Sequence, residues 1–269
     1  MKPVNHNKSP QHNSLLEKNL VVLLVDDNKV NQFLGKRILS QIGILQVEVA
    51  SDGNTAFEMI KTKHFDVLLT DIEMPVMSGY ELCQAIRKLP EPQSKMIVIA
   101  LTANGSEEEK IKAYSLGMND YLIKPYSPQE LSDVLLGNVQ TRKGLFLEDF
   151  AKPDLKNATP IAHIYALFNN NHKDTFGLLK MLSKQIPELV NDIKQGILKS
   201  DWDTTFQASH KLKSTIKLFG DERLTSLIFE ITENARQRKS LEQIPDAFER
   251  FAISAEGILM MINKELETY

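Results

Sequence analysis

Cysteine is almost missing from this chain. Cys83 is the single one in 269 residues, so no disulfide can close within it, and the composition suits a reducing cytosol. No apolar run approaches the length of a membrane span, and the opening "MKPVNHNKSPQHNS" lacks the apolar core of a signal peptide. An excess of either charge is also lacking. The net charge of −3 predicts no attraction to nucleic acid and no membrane contact by the chain itself. Nor is there a glycine-rich loop of the kind that cradles nucleotide phosphates. What is present, 42% apolar and 25% charged residues, is the composition of a folded globular protein, long enough for two domains.

The two halves carry different periods. Short apolar runs recur at 20–25 ("LVVLLV"), 45–50 ("LQVEVA"), 66–70 ("DVLLT"), 96–102 ("MIVIALT") and 120–123 ("DYLI"). Several show little alternation, as strands buried on both faces do. Amphipathic stretches separate them, at about 30–42, 53–61, 78–88, 107–116 and 128–136. Five strand-then-helix repeats predict a doubly wound parallel sheet, and such sheets bind ligands beyond the carboxyl ends of their strands. After a linker, only helical periodicity remains: about 161–168, 173–199, 202–218, 221–239 and 241–266. Long amphipathic helices joined by short turns predict an antiparallel four-helix bundle. Asp201, Asp203 or Asp221 can cap helix starts, and Pro187 is expected to kink or split its helix.

The strand ends carry the chemistry. Asp26 and Asp27 follow the first run, Asp71 the third, Thr102 closes the fourth, and Lys124-Pro125 follows the fifth. Three neighbouring carboxylates need a cation, and hard oxygen ligands favour Mg²⁺ over Zn²⁺. A divalent ion and an ammonium around one aspartate suit phosphoryl chemistry, with a carboxylate oxygen as nucleophile.

The segments "LLVDDNKVNQ", "LLTDIEMPVMSGYE", "VIALTAN" and "GMNDYLIKPY" resemble the response-regulator receiver domain position by position. The resemblance implies Asp71 as phospho-acceptor. It implies Asp27 and Asp71 as direct Mg²⁺ ligands, Asp26 acting through water, and Glu73 contributing its backbone carbonyl. Thr102 and Lys124 would contact the phosphoryl group, Ala103 would leave room beside it, and Tyr121 would be the switch aromatic. A cis bond would join Lys124 to Pro125.

In the helical half, "QASHKLKSTIKLF" sets Phe206, Ala208, Leu212, Ile216 and Phe219 on one side of a helix. His210 then points roughly 150° from that stripe and is expected to be exposed, beside Lys213, Ser214 and Lys217. A cationic surround suits an anion on the imidazole. "ASHKLKS" resembles the histidine phosphotransfer (HPt) domain, which implies His210 as a second acceptor. Lys213 would neutralise the phosphoryl group, Lys217 would add to the field, and Lys211 would point away. Ser214 stands where that family commonly carries glycine.

The chain is thus expected to contain an N-terminal tail (1–18), a (βα)5 receiver (19–138), a linker (139–160) and an all-α HPt domain (161–269). Its expected partners are a histidine kinase domain upstream and a response-regulator receiver downstream. The receiver–HPt order resembles the C-terminal part of hybrid sensor histidine kinases, with a separate relay intermediate or an inactive docking scaffold as alternatives. No ATP-dependent kinase domain is evident. The expected location is cytoplasmic, on its own or as the cytoplasmic part of a membrane-bound sensor. Whether Asp71 serves His210 within one chain is left open by the sequence.

Overall fold

A computed structural model describes residues 19–103, 105–140, 158–168 and 170–268. The expected tail, and most of the linker with its apolar stretch 145–150, lie outside the described residues.

Five strands, β1 (Val21–Val25), β2 (Gln46–Ala50), β3 (Val67–Asp71), β4 (Ile97–Thr102) and β5 (Asp120–Ile123), pair in parallel in the order β2-β1-β3-β4-β5. The central strands β1, β3 and β4 are buried almost throughout, which explains why their sequences do not alternate. Helices α1 (Lys29–Gln41), α2 (Gly53–Thr62), α3 (Gly79–Arg87), α4 (Glu107–Ser115) and α5 (Pro128–Gln140) follow the strands in turn. Local chemistry starts them. Asn28 caps α1 by accepting from the Val30 N–H, and Ser78 forms a reciprocal capping box with Glu81 at the start of α3.

The second half is helical: α6 (Pro160–Leu167), α7 (His172–Leu198), α8 (Trp202–Ile216), α9 (Glu222–Gln237) and α10 (Ile244–Glu267). Helices α7 to α10 pack in a closed ring, each on the next and α10 back on α7, with α6 against α7, α10 and the turn after α8. Asp201 and Asp221 cap α8 and α9, whereas Asp203 lies within the first turn of α8. Gly220 ends the α8 segment with φ +67°, where the His163 ring leaves no space for a Cβ atom. Of the two outcomes expected at Pro187, a split does not occur: α7 runs through it for 27 residues. Buried Leu178, Leu182, Ile186, Leu189 and Ile193 seat that helix in the bundle on both sides of the proline, and this packing outweighs the lost hydrogen bond.

Among the described residues, two apolar clusters form the core. One lies between the sheet and α2, α3 and α4, around Ile60, Leu68, Leu82 and Ile86. The other covers the opposite sheet face through α1 and α5 and continues without a break into the bundle, from Leu34 and Leu135 to Leu178 and Leu212. Helix α1 is the shared wall. Its Phe33 meets Phe168 edge-on at 6.5 Å between ring centres, and its Arg37 pairs with Asp174 at 3.2 Å. Among the described residues, no helix is long and apolar enough to cross a membrane.

Candidate functional site

Parallel register brings the reactive residues to one edge. Thr70 pairs with Val25, Asp71 with Leu101, and Thr102 with Ile123, so the residues ending or following β1, β3, β4 and β5 converge. Lys124, joined to Pro125 by a cis peptide, puts Nζ 2.6 Å from both Asp26 Oδ2 and Asp71 Oδ2. Burial pushes the Asp26 carboxyl up to about 6, with Lys124 pulling against it and Asp71 adding to it. Burial acts to lower Lys124, but the two carboxylates overcome it and hold the ammonium above its ordinary range. The remaining Asp26 oxygen accepts from the Asn28 N–H at 2.9 Å and the Asn31 amide at 3.1 Å.

One carboxylate oxygen each from Asp26, Asp27 and Asp71 lies within 4.8 Å of the other two. Three acids against the Lys124 and Lys211 ammoniums still leave this all-oxygen pocket with an excess of carboxylate, a donor set that fits Mg²⁺. Gly79 is required by close approach, because a Cβ there would lie 2.2 Å from the Asp71 carbonyl oxygen. Thr102 donates its hydroxyl to Glu109 Oε2 at 2.9 Å, and Tyr121 is half-buried with Lys110 over its ring.

The helical half closes over this edge. His210 is not exposed as its helix face led us to expect: its side chain is only 13% exposed, because the receiver-like sheet edge covers it. Its Nδ1 lies 3.0 Å from Glu73 Oε2, an ion-pair distance out of line for a hydrogen bond. The other Glu73 oxygen takes Arg236 of α9 at 2.6 Å. Burial acts to raise Glu73, but His210, Lys213 and Arg236 together bring it down to about 2.

Lys211 corrects a second expectation. It does not point away but lies 3.1 Å from Asp27 Oδ2, since the sheet edge reaches round α8 to meet it. Lys213 is buried over the Phe229 ring, Ser214 is buried too, and Lys217 donates to the Ala103 carbonyl. A small cavity is lined by Asp71, Glu73, Thr102, Ala103, His210 and Lys213, drawn from both halves of the chain. The two acceptor candidates therefore face one another rather than away.

Sequence reasoning passed over Arg236, and gave no task to Asn28, Asn31, Gln185 or Thr215. Arg236 stands 163 positions from the carboxylate it holds, and no local pattern marks such a pair. Asn28 and Asn31 stood inside a matched segment, and beyond the α1 cap and the bond to Asp26 their amides also reach the bundle beside them.

A family profile described as "Response regulator receiver domain" matches residues 22–136. Sensor protein EvgS of Escherichia coli is 42% identical over 118 residues, 44% of this chain and 9% of that protein. Signal transduction histidine-protein kinase BarA of Escherichia coli is 29% identical over 232 residues, 84% of this chain and 25% of its own length. Chemotaxis protein CheY-3 of Vibrio cholerae is 34% identical over 122 residues, 45% of this chain and 93% of that protein. This chain thus spans a small part of the two sensor kinases and nearly all of the chemotaxis protein. A solved receiver domain from a Pseudomonas aeruginosa sensor histidine kinase, with magnesium in its active-site cleft, is 34% identical; it covers 45% of this chain and 98% of its own length, with a TM-score of 0.42.

Proposed function

Because the chain belongs to the response regulator receiver family through residues 22–136, we propose that it is a phosphorelay unit with two acceptors. Asp71 takes a phosphoryl group from a histidine kinase domain, and His210 of an HPt domain relays it to or from a receiver aspartate. One observation carries this reading: Asp71 and His210 line the same cavity, with Lys124 and Lys213 beside them. The likeness to EvgS and BarA supports the C-terminal part of a hybrid sensor kinase over a separate relay protein.

In the first step an Asp71 oxygen attacks phosphorus, and the bond to the donor's histidine nitrogen breaks as the P–O bond forms. In the second, His210 Nε2 attacks phosphorus and the electron pair of the P–O bond returns to Asp71. Lys124, 2.6 Å from that carboxylate, meets the returning charge. The imidazole becomes positive as it bonds to phosphorus, and Glu73 beside Nδ1 meets that charge. Lys213 faces the cavity where the phosphoryl oxygens would lie. Asp26, Asp27, Asp71 and the Glu73 carbonyl would hold a Mg²⁺ ion, which when bound neutralises phosphoryl oxygens and draws charge off phosphorus.

Labelling with acetyl phosphate and Mg²⁺ tests the reading. Wild type should carry label on Asp71 and acid-labile label on His210. Asp71→Asn should lose both, and His210→Gln should retain Asp71 label alone. A wild type that labels at neither residue, although folded, would overturn the proposal.

A further inference from the structure

Beside the reactive cavity, α1 of the sheet half and α7 and α8 of the bundle share a polar seam. Asn28 Nδ2 lies 3.1 Å from the Lys211 carbonyl, 3.4 Å from Ser214 Oγ and 3.3 Å from Thr215 Oγ1. Asn28 Oδ1, already capping α1, accepts from Gln185 Nε2 at 2.8 Å. Thr215 Oγ1 returns to Gln185 Oε1 at 3.2 Å, closing the circuit. Asn31 Nδ2 bridges Ser214 Oγ at 3.2 Å and Asp26 Oδ1 at 3.1 Å. Asn28, Asn31, Ser214 and Thr215 are all buried, with Thr215 fully enclosed.

Buried hydroxyls and amides need partners, and a surface that fails to offer them is penalised. The seam is also close to both reactive centres. Ser214 is one helical turn from His210, and Asn31 touches Asp26. It therefore sets the register in which Asp71 and His210 meet. A receiver with an apolar residue in place of Asn28 or Asn31 would offer none of these bonds across the boundary, leaving Ser214 and Thr215 only their partners within the bundle, the Lys211 carbonyl and Gln185.

We propose that Ser214, Thr215 and Gln185 form a specificity element that selects a receiver with amide side chains at the first turn of its first helix. This chain's own receiver is the matched partner, so transfer between Asp71 and His210 runs within one molecule. The proposal rests on the phosphorelay reading above and adds to it the identity of the partner.

Full-length chains test it. A chain with Asp71→Asn, supplying only His210, is mixed with a chain carrying His210→Gln, supplying only Asp71. Acetyl phosphate and Mg²⁺ are added, and His210 label is compared with wild type across a tenfold dilution. We expect wild-type transfer to be independent of concentration and the mixed pair to transfer at least about tenfold more slowly. Thr215→Val keeps the shape and removes the hydroxyl, whereas Asn28→Ser keeps the helix cap and withdraws the amide. Each should lower the ratio of His210 label to Asp71 label by about tenfold, and the double variant by less than the product. Variants that keep the wild-type ratio, or a mixed pair that matches wild type, would overturn the proposal while label on both Asp71 and His210 upholds the phosphorelay reading. A readout free of phosphorylation is the NMR side-chain amide resonances of Asn28 and Asn31 in the unlabelled chain. Thr215→Val should shift the Asn28 resonances, and Ser214→Ala those of Asn31; unmoved resonances refute the seam.

Discussion

Glu73 and His210 stand 3.0 Å apart, Oε2 to Nδ1, across the boundary between the sheet and the bundle. The carboxylate follows directly on the loop from Asp71, so one short segment carries the acceptor and touches the ring that faces it. Arg236 holds the other oxygen at 2.6 Å and fixes the carboxylate in place.

Replacing Glu73 with Gln removes the charge that meets the developing imidazolium. His210 labelling from phospho-Asp71 should slow by about tenfold or more, with Asp71 labelling affected less. Equal slowing of both in rapid-quench kinetics would place the role of Glu73 on the aspartate side instead.

The same carboxyl makes docking sensitive to acid. Its value of about 2 lies below the ordinary 4.5, and the groups that depress it all belong to the bundle. Its contribution to docking is therefore fully present above about pH 4.5 and is lost as pH falls towards 2. Energy transfer between dyes on the two halves should decrease over that window, and Glu73→Gln should flatten the decrease.

Asp26 has the opposite sign. Its carboxyl is raised from 3.8 to about 6, so the native state holds its proton more tightly than the unfolded chain. That stabilising contribution is complete below pH 3.8 and is lost as pH rises through about 6. Because Mg²⁺ needs the ionised carboxylate, the ion should raise Tm clearly at pH 7.5 and little at about pH 5. Calorimetry with and without Mg²⁺ gives the answer, and a metal effect equal at both values would count against the acidic pocket as the binding site.

Gly79→Ala would drive a methyl group into the Asp71 carbonyl, which would lie 2.2 Å away. Backbone must move to relieve this, at a cost of about 2–3 kcal/mol in denaturant unfolding. Asp71 labelling should fall with it, since the displaced carbonyl belongs to the acceptor.

Phe33→Ala tests the apolar part of the junction. Phe33 packs on Phe168 and near Gly177, and Arg37 lies over its ring at 5.3 Å. Its loss should weaken docking by about 2 kcal/mol while the sheet, whose face is filled by Leu34 and Ile38, keeps its fold. Amide hydrogen exchange should therefore rise in α7 and leave β1 and β3 protected.

The order of elements and the acidic edge were legible in the sequence because each depends on local pattern. Unalternating apolar runs separated by amphipathic stretches specify a parallel sheet. Parallel pairing then brings the residues after β1, β3 and β5 to one edge, so Asp26, Asp71 and Lys124 could be grouped before any coordinates. The period of α8 correctly turned His210 away from the bundle's own core, yet period says only which side avoids that core and nothing about what arrives there. Tertiary structure alone brought the sheet edge onto that side, covering most of His210, turning Lys211 to Asp27 and joining Glu73 to Arg236. Pro187 belongs with these. Its local cost argued for a kinked or split helix, and packing along α7 kept the helix from splitting. The seam from Asn28 to Ser214 joins residues 186 positions apart; two short polar side chains carry no sign of each other until both backbones are in place.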